Sequence, residues 1–237
     1  MLLRFYVKEW SVALSINQMT IKHKPQEKKV ILDLCGGTGS WSLPYREAGY
    51  EVINVEIKNG LDVRNYEPPQ NVYGILAAPP CPMFSFARTN AKEPRDTRQG
   101  LELVQHCLRI IWECQHRLDS DQQKYPPLKF WALENPYYGM LKWFLGKPAF
   151  VFNPFEFGHN YQKKTSVWGH FNEPIKTPIE MTPKQKKKAK TNSQPMPKFD
   201  YMKSATIAPE WFGKLDRKAR RAITPRGFAL AFYEANK

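Results

Sequence analysis

The strongest constraint on this chain is the run Val30-Ile31-Leu32-Asp33-Leu34, which passes without a break into Cys35-Gly36-Gly37-Thr38-Gly39. A short apolar run that stops on glycines reads as a strand entering a tight turn, and Trp41 to Ala48, closed by Gly49, can then form a helix. Similar runs recur. Glu51 to Val55 reads as a strand ending at Glu56, Val72 to Ala77 as one ending at Ala78-Pro79-Pro80-Cys81, and Phe130 to Leu133 as one ending at Glu134. Between the last two, Leu101 to Leu118 sets Leu101, Val104, Leu108, Ile111 and Trp112 on one face of a long helix. Strands alternating with helices predict an α/β fold, a parallel sheet covered by helices on both faces.

The flanks are different in character. Phe5 to Met19 is loosely spaced for a helix, and the charged stretch Lys22 to Lys29 reads as a linker. After Phe171 the chain turns polar and proline-punctuated, and it carries Lys184-Gln185-Lys186-Lys187-Lys188-Ala189-Lys190 before Pro225 to Ala235 returns to an amphipathic helical pattern. The division expected is residues 1–171, 172–222 and 223–237.

Lysine and arginine number 36 against 22 acidic residues, a net charge of +14 in 237 residues, which implies a polyanionic partner. The four cysteines, Cys35, Cys81, Cys107 and Cys114, form no C-x-x-C pair and have no histidines at zinc-ligand spacing. That pattern predicts neither a metal site nor a disulfide framework, and it fits a reducing cytoplasm. No run approaches the roughly 18 apolar residues that span a bilayer, and Arg4, Lys8 and Glu9 interrupt any signal-peptide core.

Three strand ends carry chemistry. The glycines of Asp33 to Gly39 permit close backbone approach to a ligand, and Glu56, about 20 residues on, is placed to accept from ribose hydroxyls. Ala78-Pro79-Pro80-Cys81-Pro82 holds one thiol rigidly, and Glu134-Asn135-Pro136 presents an acid preceded by four apolar residues, a setting that raises its pKa. Each has an ordinary alternative: a solvated strand end for Glu56, a small buried hydrophobe for Cys81, a helix cap for Glu134.

Taken in order, Asp33 to Gly39, Glu56, Ala78 to Cys81, Glu134 to Pro136 and Gln162 to Ser166 make the chain resemble the cytosine-5 DNA methyltransferase family, over roughly Val30 to Phe171 plus the final helix. The resemblance implies a Rossmann-like class I domain binding S-adenosylmethionine, a small inserted target-recognition region and a C-terminal helix that rejoins the catalytic domain. It implies that Asp33, Leu34, Cys35, Gly36, Gly37, Thr38, Gly39, Glu56, Ile57, Asp62, Val63 and Pro79 hold the cofactor, with Asp62 on the adenine amino group and Ile57 against the ring. Cys81 would be the nucleophile, Glu134 the acid at N3 of cytosine and Lys164 the third catalytic residue. Gln162-Lys163-Lys164-Thr165-Ser166 stands where the family has Gln-x-Arg-x-Arg, so Lys164 takes the place of the first arginine and Ser166 that of the second. The family commonly has Phe at Cys35 and Gly at Ser40.

The reading that follows is methylation of carbon 5 of a flipped cytosine in double-stranded DNA by a monomer. S-adenosylhomocysteine is the other product, and neither metal nor membrane takes part. Gln162, Lys163, Lys164, Lys186, Lys187 and Lys188 are the expected nucleic-acid contacts; the lysine run reads equally well as a solvated tract. An amino-group methyltransferase would need Asp, Asn or Ser where Ala78 stands and an aromatic where Cys81 stands. A tRNA methyltransferase and a decayed fold that only binds nucleic acid remain alternatives.

Overall fold

The computed structural model describes residues 28–89, 91–116, 128–191, 195–197, 214, 215 and 217–237. The predicted opening helix and most of the linker lie outside the described residues.

Six strands form one sheet: β1 (Val30–Leu34), β2 (Glu51–Val55), β3 (Val72–Ala77), β4 (Phe130–Pro136), β5 (Phe150–Phe152) and β6 (Thr165–His170). Their order is β2-β1-β3-β4-β6-β5. The first four are parallel, whereas β6 runs antiparallel to both β4 and β5. The sheet is therefore mixed at one side rather than parallel throughout, as the alternation of strands and helices predicted. The helices are α1 (Leu43–Glu47), α2 (Thr97–His116), α3 (Lys142–Leu145), α4 (Pro183–Lys190), α5 (Arg217–Ala222) and α6 (Arg226–Asn236).

Side chains alternate across the strands, so each face builds its own core. On one face Leu32, Leu34, Ile75 and Leu133 pack with Val104, Cys107, Ile111 and Cys114 of α2. On the other, Ile31, Leu76 and Phe130 pack with Trp41 and Tyr45 and with Phe228 and Phe232 of α6. Gly74 is glycine for want of room: a Cβ there would lie 2.3 Å from the Phe130 ring. Phe228 stacks on Phe152 with centroids 3.8 Å apart, and removing such a ring from a core costs about 3–5 kcal/mol.

The buried face of α2 differs from the one expected. Gly100, Val104, Cys107, Ile110, Ile111 and Cys114 point inward, whereas Trp112 is 67% exposed and lies against His116. Cysteine and glycine occupy the inner positions, so a count of large apolar residues turns the face toward Trp112. In the described part of 172–222 there is no strand; the lysine run forms α4, capped by the reciprocal Thr182–Gln185 pair. Among the described residues no helix is long and apolar enough to cross a membrane, and no cluster of three or more His, Cys, Asp or Glu is placed to hold a metal.

Candidate active site

The chain leaves β1 toward β2 on one side and returns to β3 on the other, which opens a crevice beyond the carboxyl ends of β1 and β3. The glycine-rich loop and the Pro-Pro-Cys loop both begin there, joined by the Ala78 N–H donating to the Leu34 carbonyl at 2.9 Å. Glu134 lies near the end of the next strand, β4. The reversal of β6 adds a fourth contribution, because its first residue, Thr165, pairs with Pro136 at the end of β4. An antiparallel neighbour thus delivers the segment before it, Gln162 to Lys164, to the same edge of the sheet.

The glycine loop is built around Asp33. Its carboxyl is buried, accepts from the Ser42 hydroxyl at 2.5 Å through Oδ2, and has no partner at Oδ1 among the described residues. Burial pushes its pKa up to about 6 despite the Ser42 bond. Gly36 lies over this carboxyl so closely that a Cβ would sit 2.4 Å from its carbon. Cys35 turns the chain with φ of 54°, a left-handed conformation rare outside glycine. The Gly37 N–H donates to Glu56 Oε2 at 3.1 Å, so the acid at the end of β2 is already tied to the loop. Gly37 itself faces open space, Thr38 is half-buried and Gly39 is buried. Ile57 is 61% exposed beside Glu56.

The remaining expected cofactor residues divide. Asp62 is engaged by Arg64, which donates from its side chain at 2.7 Å and from its backbone, and these bonds hold the carboxyl below its usual range. Val63 is buried in the core, so only its backbone is available. Pro79 is buried, and its carbonyl accepts from Asn135 Nδ2 at 3.0 Å. Asn135 is wholly buried and its Oδ1 has no partner among the described residues. This residue, not assigned a role from sequence, ties the loop of Cys81 to the strand of Glu134.

Cys81 is half-buried at the head of a turn in which its carbonyl accepts from the Phe84 and Ser85 N–H groups, at 3.0 and 2.9 Å. Burial and then the Glu134 carboxylate push its thiol pKa up, while Lys163 and Arg221 draw it back. Burial also raises the Glu134 pKa, again opposed by Lys163. Thiol, acid and ammonium form one electrostatic cluster.

Lys163, and not Lys164, is the lysine in that cluster. The Lys164 ammonium lies over the Tyr137 ring, 4.0 Å from its centroid, and its carbonyl accepts from the Tyr137 N–H. Ser166 is buried within β6. Gln162 is taken up by the region after Phe171: its N–H donates to the Pro197 carbonyl at 2.9 Å and its Oε1 accepts from the Met196 N–H. Lys186, Lys187 and Lys188 are exposed on α4. Arg221, in the basic run Arg217-Lys218-Ala219-Arg220-Arg221, was a legible cation that sequence reasoning passed over.

Compared with models of known protein families and with curated protein sequences, the chain has no match.

Proposed function

We propose that this chain is a Rossmann-like, S-adenosylmethionine-dependent methyltransferase acting on carbon 5 of cytosine in double-stranded DNA. The observation that supports the reading best is the meeting, at one sheet edge, of a buried acid beneath a glycine loop with a thiol, a second acid and a lysine.

The glycine loop suits the cofactor. Gly37 is open, Glu56 offers a carboxylate to ribose hydroxyls, and exposed Ile57 offers an apolar surface to adenine. A carboxyl with an orphaned oxygen under Gly36 favours a cationic group nearby. S-adenosylmethionine would supply an electrophilic methyl group on a positively charged sulfur.

Carbon 5 of cytosine is a poor nucleophile, so the chain's own residues must first enrich it. Cys81 as thiolate would add to carbon 6, forming the S–C6 bond as the ring's 5,6 double-bond electrons move toward carbon 5. Glu134, with its raised pKa, would hold a proton at N3 and stabilise the charge. Lys163 would favour the thiolate, and it moderates the rise that burial gives the Glu134 pKa. After alkylation, a water molecule would take the carbon 5 proton, the C5–H electrons would restore the double bond and expel Cys81 as thiolate, and N3 would return its proton to Glu134. The thiol attacks the face of the ring, so the base must leave the stack. The excess positive charge and the lysines of α4 would serve the phosphates.

The test is incubation with labelled S-adenosylmethionine and duplex DNA containing 5-fluorocytosine, followed by denaturing electrophoresis. Fluorine blocks the last elimination, so a trapped complex that needs Cys81 is expected. No complex from a chain that still binds the cofactor would overturn the reading in favour of an RNA substrate or a protein that only binds.

A further inference from the structure

The loop after Cys81 and the loop after Glu134 are laced together: Ser85 bridges Gly139, the Phe86 N–H donates to the Tyr138 carbonyl at 3.0 Å, and the Met140 N–H donates to the Phe84 carbonyl. What the pair presents to solvent is aromatic. Phe86 is 43% exposed, Tyr138 60% and Trp143 66%. The Phe86 and Trp143 rings lie 5.8 Å apart, and Tyr137 meets Tyr138 edge-on at 5.1 Å. Two ammonium groups sit on this surface, Lys142 at 5.3 Å and Lys164 at 4.0 Å from the Tyr137 ring centre. Neither Pro79 to Lys92 nor Asn135 to Phe155 contains an aspartate or glutamate.

Rings this exposed are costly in water unless something covers them. The lysines argue against a protein face, where lysine is depleted, and the lack of acids within these two segments argues for a polyanion. Exposed rings interleaved with cations are what a single nucleic-acid strand uses, each base stacking on a ring while its phosphates meet the cations. Bases in an intact duplex are already stacked on one another and have no free face to offer.

We infer that Phe86, Tyr138 and Trp143, with Lys142 and Lys164 held on the half-buried Tyr137 ring, form a stacking platform for unpaired bases of a DNA strand leading to Cys81. On the duplex substrate proposed above, the platform takes up bases freed as the target base leaves the stack, so the chain binds an open strand more tightly than an intact duplex. The choice of DNA rests on the proposed function; the platform rests on the exposed rings and the two lysines beside them.

The experiment measures binding of a labelled 20-nucleotide DNA strand, its duplex and an RNA strand of the same sequence at one salt concentration. It uses the full chain and its Trp143→Ala, Trp143→Phe and Phe86→Ala variants. Expected are tighter binding of the single DNA strand than of the duplex and a loss of about tenfold in Trp143→Ala. Trp143→Phe should largely restore affinity, and melting temperatures should stay unchanged because Trp143 is exposed. Strand affinity unchanged in both alanine variants, a duplex bound more tightly, or a preference for RNA would overturn the inference. So would self-association that Trp143→Ala abolishes while strand affinity stays constant. Methyl transfer is scored separately: a platform that binds strands in a chain that transfers nothing overturns the catalytic reading alone. Transfer with strand binding indifferent to Trp143 overturns this inference alone.

Discussion

Asn135 donates its side-chain amide to the Pro79 carbonyl at 3.0 Å, across 56 residues of sequence, and so fixes the loop that carries Cys81 to the strand that carries Glu134. The bond is buried, and breaking it strands a carbonyl without water. Asn135→Ala should therefore destabilise the fold by about 1–3 kcal/mol. It should also lower the yield of trapped 5-fluorocytosine complex at temperatures where the variant remains folded. Thermal melting and the trapping assay check the two effects, and an unchanged yield would mean that the tie is structural only.

Glu134→Gln should move two rates in opposite directions. The carboxylate raises the Cys81 pKa, so removing its charge lets the thiolate form at lower pH and speeds alkylation by iodoacetamide at pH 8 to 9. Methyl transfer should nevertheless slow, by about 10²-fold or more, because the proton at N3 is lost. In the unaltered chain, burial and Glu134 hold Cys81 above the ordinary thiol range, so its alkylation keeps rising with pH beyond the point where a free cysteine levels off.

The two adjacent lysines should behave differently. Lys163→Ala removes the larger of the two cationic influences that draw the Cys81 pKa down, so alkylation at a fixed pH slows. Lys164→Ala removes a cation seated on Tyr137 and should leave the alkylation profile in place. Equal effects of the two substitutions would refute the assignment of Lys163 to the cluster.

Asp33 sets a pH dependence on stability. An acid whose folded pKa lies above its unfolded value binds more protons when folded, so stability falls as pH rises. The fall runs from the ordinary carboxylate range near 4 through about 6, and the penalty is complete above that. Asp33→Asn keeps an acceptor for Ser42 and removes the charge. Its advantage over the unaltered chain should grow between pH 4 and pH 7 to the order of 3 kcal/mol, read from denaturant melts at both pH values. Cofactor affinity should fall in the same variant.

What could be read before the fold was known follows a physical division. β1 to β4 are apolar runs ended by glycine, proline or an acid, so Asp33, Cys81 and Glu134 were legible as strand ends. β6 was not, because Thr165, Ser166 and His170 dilute its pattern, and its place depends on pairing with β4 rather than on its own composition. That pairing is also what turns Lys163 toward Cys81 and Lys164 toward Tyr137, a choice no spacing along the chain encodes. The face of α2 was misjudged at Trp112 because cysteines hold its inner positions. The Asn135 tie needed the two loops side by side before it could be seen.

The packing of α6 bears on how the molecule is made. Trp41 meets Phe232 at 5.4 Å and Tyr45 meets Tyr233 at 5.0 Å, and Asn236 exchanges hydrogen bonds with Asn172. The core on this face of the sheet, whose strands β1 to β4 precede α6 in the chain, thus waits for residues near position 236 before it is complete. While a ribosome is still short of them, Ile31, Leu76 and Phe130 lack their partners on α6, and the nascent chain is at its most vulnerable to aggregation.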